Sequence, residues 1–161
     1  MIEWVGSYLT HLGLEQESPS LSFLRKLVSS HQQIVPLENL DFYYGQRPSL
    51  DLKKTLEKIL TGRGGIGLHL NGLFCDLVNK LAYLGELRSV APYDSAVRDY
   101  KHRLAHIGIL VSVKGKTYYV DLGTPKGISE PVEIIPNRPF LSGAHYYQWK
   151  TKAEDENLYL M

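Results

Sequence analysis

Two residues in the second half of the chain have the side chains and spacing for proton transfer. His106 lies in Arg103-Leu104-Ala105-His106-Ile107-Gly108-Ile109-Leu110-Val111, and Asp121 in Tyr118-Tyr119-Val120-Asp121-Leu122-Gly123. Both runs are rich in β-branched and aromatic residues, and Lys114-Gly115 between them reads as a hairpin turn. A two-residue turn pairs Val113 with Lys116 and Gly108 with Asp121. His106 then shares a face with Gly108 and lies diagonal to Asp121, at a backbone separation of about 7–8 Å that a long side chain can bridge. That register predicts a His–Asp hydrogen bond, whereas a three-residue turn would put the two on opposite faces. An imidazole held by a carboxylate can take a proton from a thiol or from water. The only thiol in the chain is Cys75.

The elements that must position this pair follow from periodicity. Ile2, Val5, Leu9 and Leu12 keep helical spacing up to Gly13. Ser18-Pro19 reads as an N-cap and first helical residue for a second helix, whose inner face is Leu21, Leu24, Leu27 and Val28. Residues 35–41 read as extended. Leu52, Leu56, Ile59 and Leu60 form a third helix stopped by Gly62. A fourth helix starts near Leu68, turns Phe74, Leu77, Val78 and Leu81 inward and ends about Gly85. After a loop over 91–103 come strands at Leu104–Val113, Lys116–Leu122 and Val132–Ile135, then a last hairpin over His145–Met161 turning around 153–157. Helices first and strands after predict an α+β fold with a helical domain over 1–86 and a strand domain over 87–161.

Composition narrows the function classes. The chain has 161 residues and a formal net charge of +1, so it carries no general field for nucleic acid or an anionic membrane. No apolar run approaches the roughly 20 residues of a membrane-spanning helix, and the N-terminus does not read as a signal peptide. One cysteine excludes an internal disulfide. These features predict a cytoplasmic protein. Eleven tyrosines are expected mainly in sheet packing, with an aromatic ligand site as the alternative.

The chain resembles the arylamine N-acetyltransferases. That family carries Arg-Gly-Gly-x-Cys-x-Glu/Gln-x-Asn, then a His on a strand, then an Asp before a Gly-containing loop. Here the run is Arg63-Gly64-Gly65-Ile66-Gly67-Leu68-His69-Leu70-Asn71, followed by His106 and Asp121. Val35-Pro36-Leu37-Glu38-Asn39-Leu40-Asp41 is similar to the family's Pro-Phe-Glu-Asn-Leu-Asp segment, and Tyr8–Leu14 to its first helix. The resemblance implies a helical bundle followed by an antiparallel β-barrel-like sheet, around a cysteine-proteinase-like core. It also implies acetyl transfer from acetyl-CoA to arylamines or hydrazines through a Cys-His-Asp triad. Carried over residue by residue, Gly67 occupies the nucleophile position, His106 is the base and Asp121 the orienting carboxylate.

Glycine has no side chain to acylate, so the resemblance implies a degenerate acetyltransferase, a pseudoenzyme. Cys75 lies eight residues on, about 12 Å along a helix, and reads as a buried structural residue. Gly123 and Thr124 fall in the loop that lies near the cofactor in the family, making them candidate acetyl-CoA contacts. The loop continues through Pro125, Lys126 and Gly127 where the family more often has Gly-Phe-Gly. Arg63, Glu38 and Asp41 read as structural supports. His69 stands where the family has Glu or Gln. It opens an alternative in which His69, His106 and Asp121 hold a metal, though the favoured expectation is no metal and no required cofactor. Gly62–Gly67 also satisfies G-x-G-x-x-G, but it follows a helix rather than a strand, which argues against a dinucleotide site.

Three functions remain open. The first is a silent acetyltransferase that binds an acyl-CoA or an aromatic small molecule. The second is a hydrolase in which His106 and Asp121 activate a water lodged in the space a cysteine side chain would fill. The third is a non-catalytic interaction protein. The resemblance further leads us to expect that the family's C-terminal lid is absent, and that the apolar surface this exposes is covered in a homodimer.

Overall fold

The computed structural model describes residues 3–47, 49–91, 93–94, 99–100, 106–124, 128–143, 145–151 and 158–160. The predicted loop over 91–103, the last turn around 153–157 and the bend at Pro125 lie wholly or largely outside the described residues.

Five helices come first: α1 (Glu3–His11), α2 (Leu21–Ile34), α3 (Leu40–Tyr43), α4 (Leu52–Leu60) and α5 (Gly67–Lys80). α1 buries Val5, Tyr8 and Leu9, and the chain leaves it through Gly13 at φ +67°, with Leu14 N–H returning to the Leu9 carbonyl at 2.9 Å. α2 is capped by Ser20, whose Oγ accepts from Phe23 N–H at 3.1 Å. The expected Ser18 cap is therefore displaced by two residues, because Ser20 is the hydroxyl whose extended backbone precedes the first helical residue. α4 starts on Asp51, which accepts from Lys53 N–H at 2.9 Å, and is followed by Gly62 at φ +82°. The segment expected to be extended through residue 41 instead closes into α3, with Leu40 N–H donating to the Glu38 carboxylate at 2.6 Å.

α5 is the central helix. Gly67, His69, Leu70, Asn71, Leu73, Phe74, Cys75, Leu77 and Val78 are all buried, so little of its surface meets solvent. It stops at Lys80, earlier than expected, because Ala82 at φ +63° turns the chain into a strand.

The strands are β1 (Leu84–Val90), β2 (Tyr93–Asp94), β3 (Asp99–Tyr100), β4 (His106–Val113), β5 (Lys116–Val120), β6 (Val132–Glu133), β7 (Pro139–Ser142), β8 (His145–Thr151) and β9 (Leu158–Leu160). A four-stranded sheet has the order β1-β4-β5-β6, β2 pairs with β3, and a three-stranded sheet has the order β7-β8-β9. The ladders are antiparallel, as expected, but the described strands form three separate sheets and no closed barrel. β1, β2, β3 and β7 are additions to the sequence reading, β2 and β3 falling within the stretch read as a loop over 91–103.

Helices and sheet share one core. Tyr8, Leu24, Leu27, Phe74 and Leu77 from the helices pack with Ile109, Val111 and Val120 from the sheet, and α5 lies against β1 and β4. Of the tyrosines, Tyr8, Tyr83, Tyr118 and Tyr119 are buried, while Tyr43, Tyr44 and Tyr146 are exposed.

Candidate active site

The β4–β5 hairpin has the register that brings His106 to Asp121. Val113 faces Lys116 and Ile109 faces Val120, around a two-residue turn in which Lys114 and Gly115 both have positive φ, 49° and 77°. One step further along the ladder Asp121 falls opposite Gly108. His106 Nε2 lies 2.8 Å from Asp121 Oδ2 and 3.0 Å from Oδ1. The carboxylate is ionised, so Nε2 carries the proton of that bond. The second ring nitrogen, Nδ1, takes no part in that bond.

Asp121 is buried, and four further donors converge on it. Asn71 Nδ2 donates to Oδ1 at 3.0 Å and Gly123 N–H to Oδ1 at 2.8 Å. Thr124 Oγ1 donates to Oδ2 at 2.8 Å and the Tyr119 hydroxyl to Oδ2 at 3.1 Å. Burial favours the protonated acid. The hydrogen bond and charge of His106, with the Asn71 and Gly123 bonds, outweigh it and hold the carboxyl down at about 2. Asn71 also ties three elements together. Its amide donates to the Ile107 carbonyl at 2.7 Å, and its Oδ1 accepts from Leu122 N–H at 2.8 Å. Tyr119 reaches Asp121 across Gly108, where a Cβ would lie 2.4 Å from the tyrosine ring; any larger residue would displace that ring.

Gly67 begins α5 directly beneath the imidazole. A Cβ built there would lie 2.8 Å from His106 Cε1, 3.0 Å from Gly123 Cα and 3.2 Å from the Gly123 carbonyl oxygen. The structure thus gathers Gly67, His106, Asp121 and Gly123, with Thr124 at the edge. The same crowding bears on the hydrolytic reading, since a Cβ at residue 67 would sit closer than ordinary contact to the His106 ring and the Gly123 backbone.

Thr124 Oγ1 stands 3.2 Å from His106 Nε2, which raises a hydroxyl nucleophile as an option. The geometry argues against it. A triad base uses one ring nitrogen for the nucleophile and the other for the carboxylate, and here both partners meet Nε2. Thr124 acts on the carboxylate.

His69 points elsewhere. Two residues along a helix turn a side chain by about 200°, and His69 faces Gly65, where a Cβ would lie 2.8 Å from its Nδ1. Burial lowers its pKa, and its Nε2 is buried without a hydrogen-bond partner in the structure. Its surroundings are Glu38, Asn39, Asp41 and Phe42, so it does not join His106 and Asp121. Among the described residues no three metal-ligating side chains cluster.

The Arg-Gly-Gly turn is held from behind. Leu37 bridges Gly65 in parallel, Glu38 N–H donates to the Gly65 carbonyl at 3.0 Å, and a Cβ at Gly64 would lie 1.7 Å from the Pro36 carbonyl oxygen. That is the physical reason the Pro36–Asp41 and Arg63–Gly65 segments go together. Arg63 Nη2 meets Glu38 Oε1 at 2.9 Å and Asp41 Oδ1 at 3.0 Å, and Lys58 Nζ meets Asp41 Oδ2 at 2.5 Å. Cys75 is buried in the apolar half of α5, and burial raises its thiol pKa. A cavity of about 600 Å³ opens on the helical side, lined by Trp4, Leu52, Leu56, Leu60 and Leu73, none of which belongs to the His106 site.

Sequence reasoning did not assign functions to Asn71, Tyr119 or Gly108. Asn71 stood inside the quoted motif and Tyr119 lies two residues before Asp121; Gly108 carries no local signal, because its role depends on the ring that lies across the hairpin.

An α+β fold with a buried His–Asp pair above the first turn of a central helix is the arrangement that the family resemblance implies. The profile of the N-acetyltransferase family matches residues 20–160. The chain belongs to that family, and within it to the arylamine N-acetyltransferases. It is 26% identical over 121 residues to Arylamine N-acetyltransferase 1 of Felis catus, covering 73% of this chain and 47% of the relative. The arylamine N-acetyltransferase of Salmonella typhimurium superposes with a TM-score of 0.87 at 23% identity, over 100% of this chain and 62% of that one. A Bacillus cereus arylamine N-acetyltransferase, described as having a unique Cys-His-Glu catalytic triad, superposes with a TM-score of 0.84 at 22% identity, over 99% of this chain and 64% of that one. The chain spans about half the length of the curated relatives it matches. No helix among the described residues is long and apolar enough to cross a membrane.

Proposed function

We propose that this chain is a catalytically silent member of the arylamine N-acetyltransferase family, one that keeps the base and its carboxylate without the nucleophile they would serve. The observation that carries the reading is the composition of the site. His106 and Asp121 form a hydrogen-bonded pair, and the residue beneath the ring is Gly67. In the relatives' chemistry a thiolate must attack the acetyl carbonyl, and the base must take the thiol proton. Here the base has no thiol to serve. Cys75 lies two helical turns away in the core.

The remaining role is ligand binding. Acyl-CoA or an aromatic small molecule is the class of ligand that relatives named for acetylating arylamines suggest. Gly123 and Thr124, at the edge of the site, are the proposed contacts. Acetyl-CoA is treated as ligand or substrate, with no resident cofactor and no metal. A cytoplasmic location, a homodimer and the division at residues 86/87 belong to the same proposal.

The test is acetyl transfer from acetyl-CoA to an arylamine at high protein concentration. Product at the buffer rate is expected, and transfer that persists in Cys75→Ala would refute the reading. Calorimetric titration of acetyl-CoA then separates a binder, which saturates, from a protein whose ligand lies elsewhere.

A further inference from the structure

Gly67 and Gly123 are in direct backbone contact, and the contact is mutual. A Cβ on Gly123 would lie 2.2 Å from Gly67 Cα and 3.0 Å from His106 Cε1; a Cβ on Gly67 would lie 3.0 Å from Gly123 Cα and 2.8 Å from the same ring carbon. Neither glycine has a positive φ, so neither is required by its own backbone conformation. What requires them is each other, together with the ring lodged beside them.

The loop that brings Gly123 there is fastened to the same carboxylate that holds the ring. Gly123 N–H and Thr124 Oγ1 both donate to Asp121, at 2.8 Å each, and Leu122 N–H donates to Asn71 on α5 at 2.8 Å. The ring cannot swing aside without giving up Asp121, and the loop cannot retreat without giving up the bonds that join Leu122 and Asp121 to Asn71 and Asp121 to His106. Backbone, unlike the end of a flexible side chain, does not yield cheaply to an added atom.

We propose that the 121–124 loop is a built-in plug of the acceptor volume, with Gly67 and Gly123 an interdependent pair. Loss of the nucleophile is therefore not a one-residue vacancy. The loop backbone and the ring crowd the place of the missing side chain, at 3.0 Å and 2.8 Å from a Cβ there, and Gly67→Cys alone does not recreate a working thiol beside His106. This rests on the silent-enzyme reading above and extends it, since it names the element that keeps the site closed.

Two measurements test it. The first is the p-nitrophenolate burst from p-nitrophenyl acetate, in which a thiolate would attack the ester carbonyl, displace p-nitrophenolate and keep the acetyl group as a thioester. Wild type and Gly67→Cys, both carrying Cys75→Ala, are each expected to show no burst. A burst of about one equivalent in the Gly67→Cys protein alone overturns the plug and leaves the silent-enzyme reading intact. A burst in the Gly67 protein overturns that reading instead.

The second is a double-mutant cycle of Gly67→Ala and Gly123→Ala followed by thermal melting, informative whether or not the cysteine variant folds. Each alanine prises apart the same contact, so the second should cost little once the first is present. Each single change is expected to lower Tm by several degrees, and the pair by scarcely more than the worse single. Two losses that simply add would show that the glycines are independent and overturn the proposal.

Discussion

The molecule contains two charged clusters built on opposite principles. Around Asp121 five donors from α5, β4, β5 and the following loop meet one buried carboxylate; Asn71 and His106 come from distant elements, while Tyr119, Gly123 and Thr124 lie within three residues of it. Around Glu38 and Asp41 two cations, Arg63 and Lys58, share two carboxylates at the rim of the helical half, and all four groups are partly exposed, the cations more than the carboxylates. The first cluster fixes a reactive geometry at the cost of desolvating an ion. The second pins a turn and stays partly solvated. Buried, fully satisfied networks lose heavily when one member is removed, whereas partly exposed ion pairs lose little.

The largest expected effect follows directly. Asp121→Ala leaves the His106 ring, the Asn71 amide, Gly123 N–H and the Tyr119 hydroxyl without their common acceptor. A loss of about 3–5 kcal/mol is expected from a buried charge network broken on one side, measured by urea unfolding. A loss comparable to that of a surface substitution would mean the cluster is wetter than its geometry indicates.

The pH dependence of stability sharpens the contrast, and its first part comes from a third buried site. His31 accepts a place in the core beside Tyr8, with Nδ1 and the tyrosine oxygen 2.6 Å apart. Burial, helped by the charge of His11, pushes its pKa down to about 3. The folded state therefore binds fewer protons than the unfolded one between that value and the ordinary 6.5. Stability is fully present above pH 6.5 and declines as pH falls, by on the order of 2–3 kcal/mol at pH 4.5. Asp121 adds a second decline: its stabilisation is complete above the ordinary carboxylate pKa of about 3.9 and is lost as pH falls toward 2. Replacing both partners, His31→Phe with Tyr8→Phe, should flatten the upper part of the profile and leave the lower. An unchanged slope between pH 6.5 and 4.5 would remove His31 as its source.

Asn71→Ala comes next. It strands Leu122 N–H and the Ile107 carbonyl, for which about 1–3 kcal/mol is expected. Because Asn71 orients Asp121, the His106 ring proton signal should also shift in NMR spectra, which a loss of packing alone would not produce. The smallest effect is Arg63→Ala. Its melting shift should be well below that of Asn71→Ala and should shrink further in high salt, since exposed ion pairs are screened. A salt-independent loss as large as that at Asn71 would erase the distinction between the two clusters.

What was legible in the sequence tracks what is local. The Lys114-Gly115 turn announced its own geometry, and that turn alone sets the register that delivers His106 to Asp121. The supporting role of Glu38, Asp41 and Arg63 was readable from the family motif, and the structure supplies its cause in the Leu37–Gly65 bridge. β1 escaped because Leu84 and Leu87 are exposed, so its strand shows no clean alternation of apolar and polar residues. The α2 cap was misplaced because two serines compete within three residues and only backbone conformation decides between them. The reach of Asn71 from α5 to Asp121, and the contact between Gly67 and Gly123, join residues through space by register and loop path. No spacing along the chain encodes them.

The account stands on the absence of an acyl acceptor beside His106. Intact-protein mass measurement after incubation with acetyl-CoA tests this most directly. The account predicts that wild-type protein keeps its unmodified mass. A single added acetyl group that survives Cys75→Ala and disappears in His106→Ala would contradict it, because the site would then have found a nucleophile that the geometry around Gly67 does not supply.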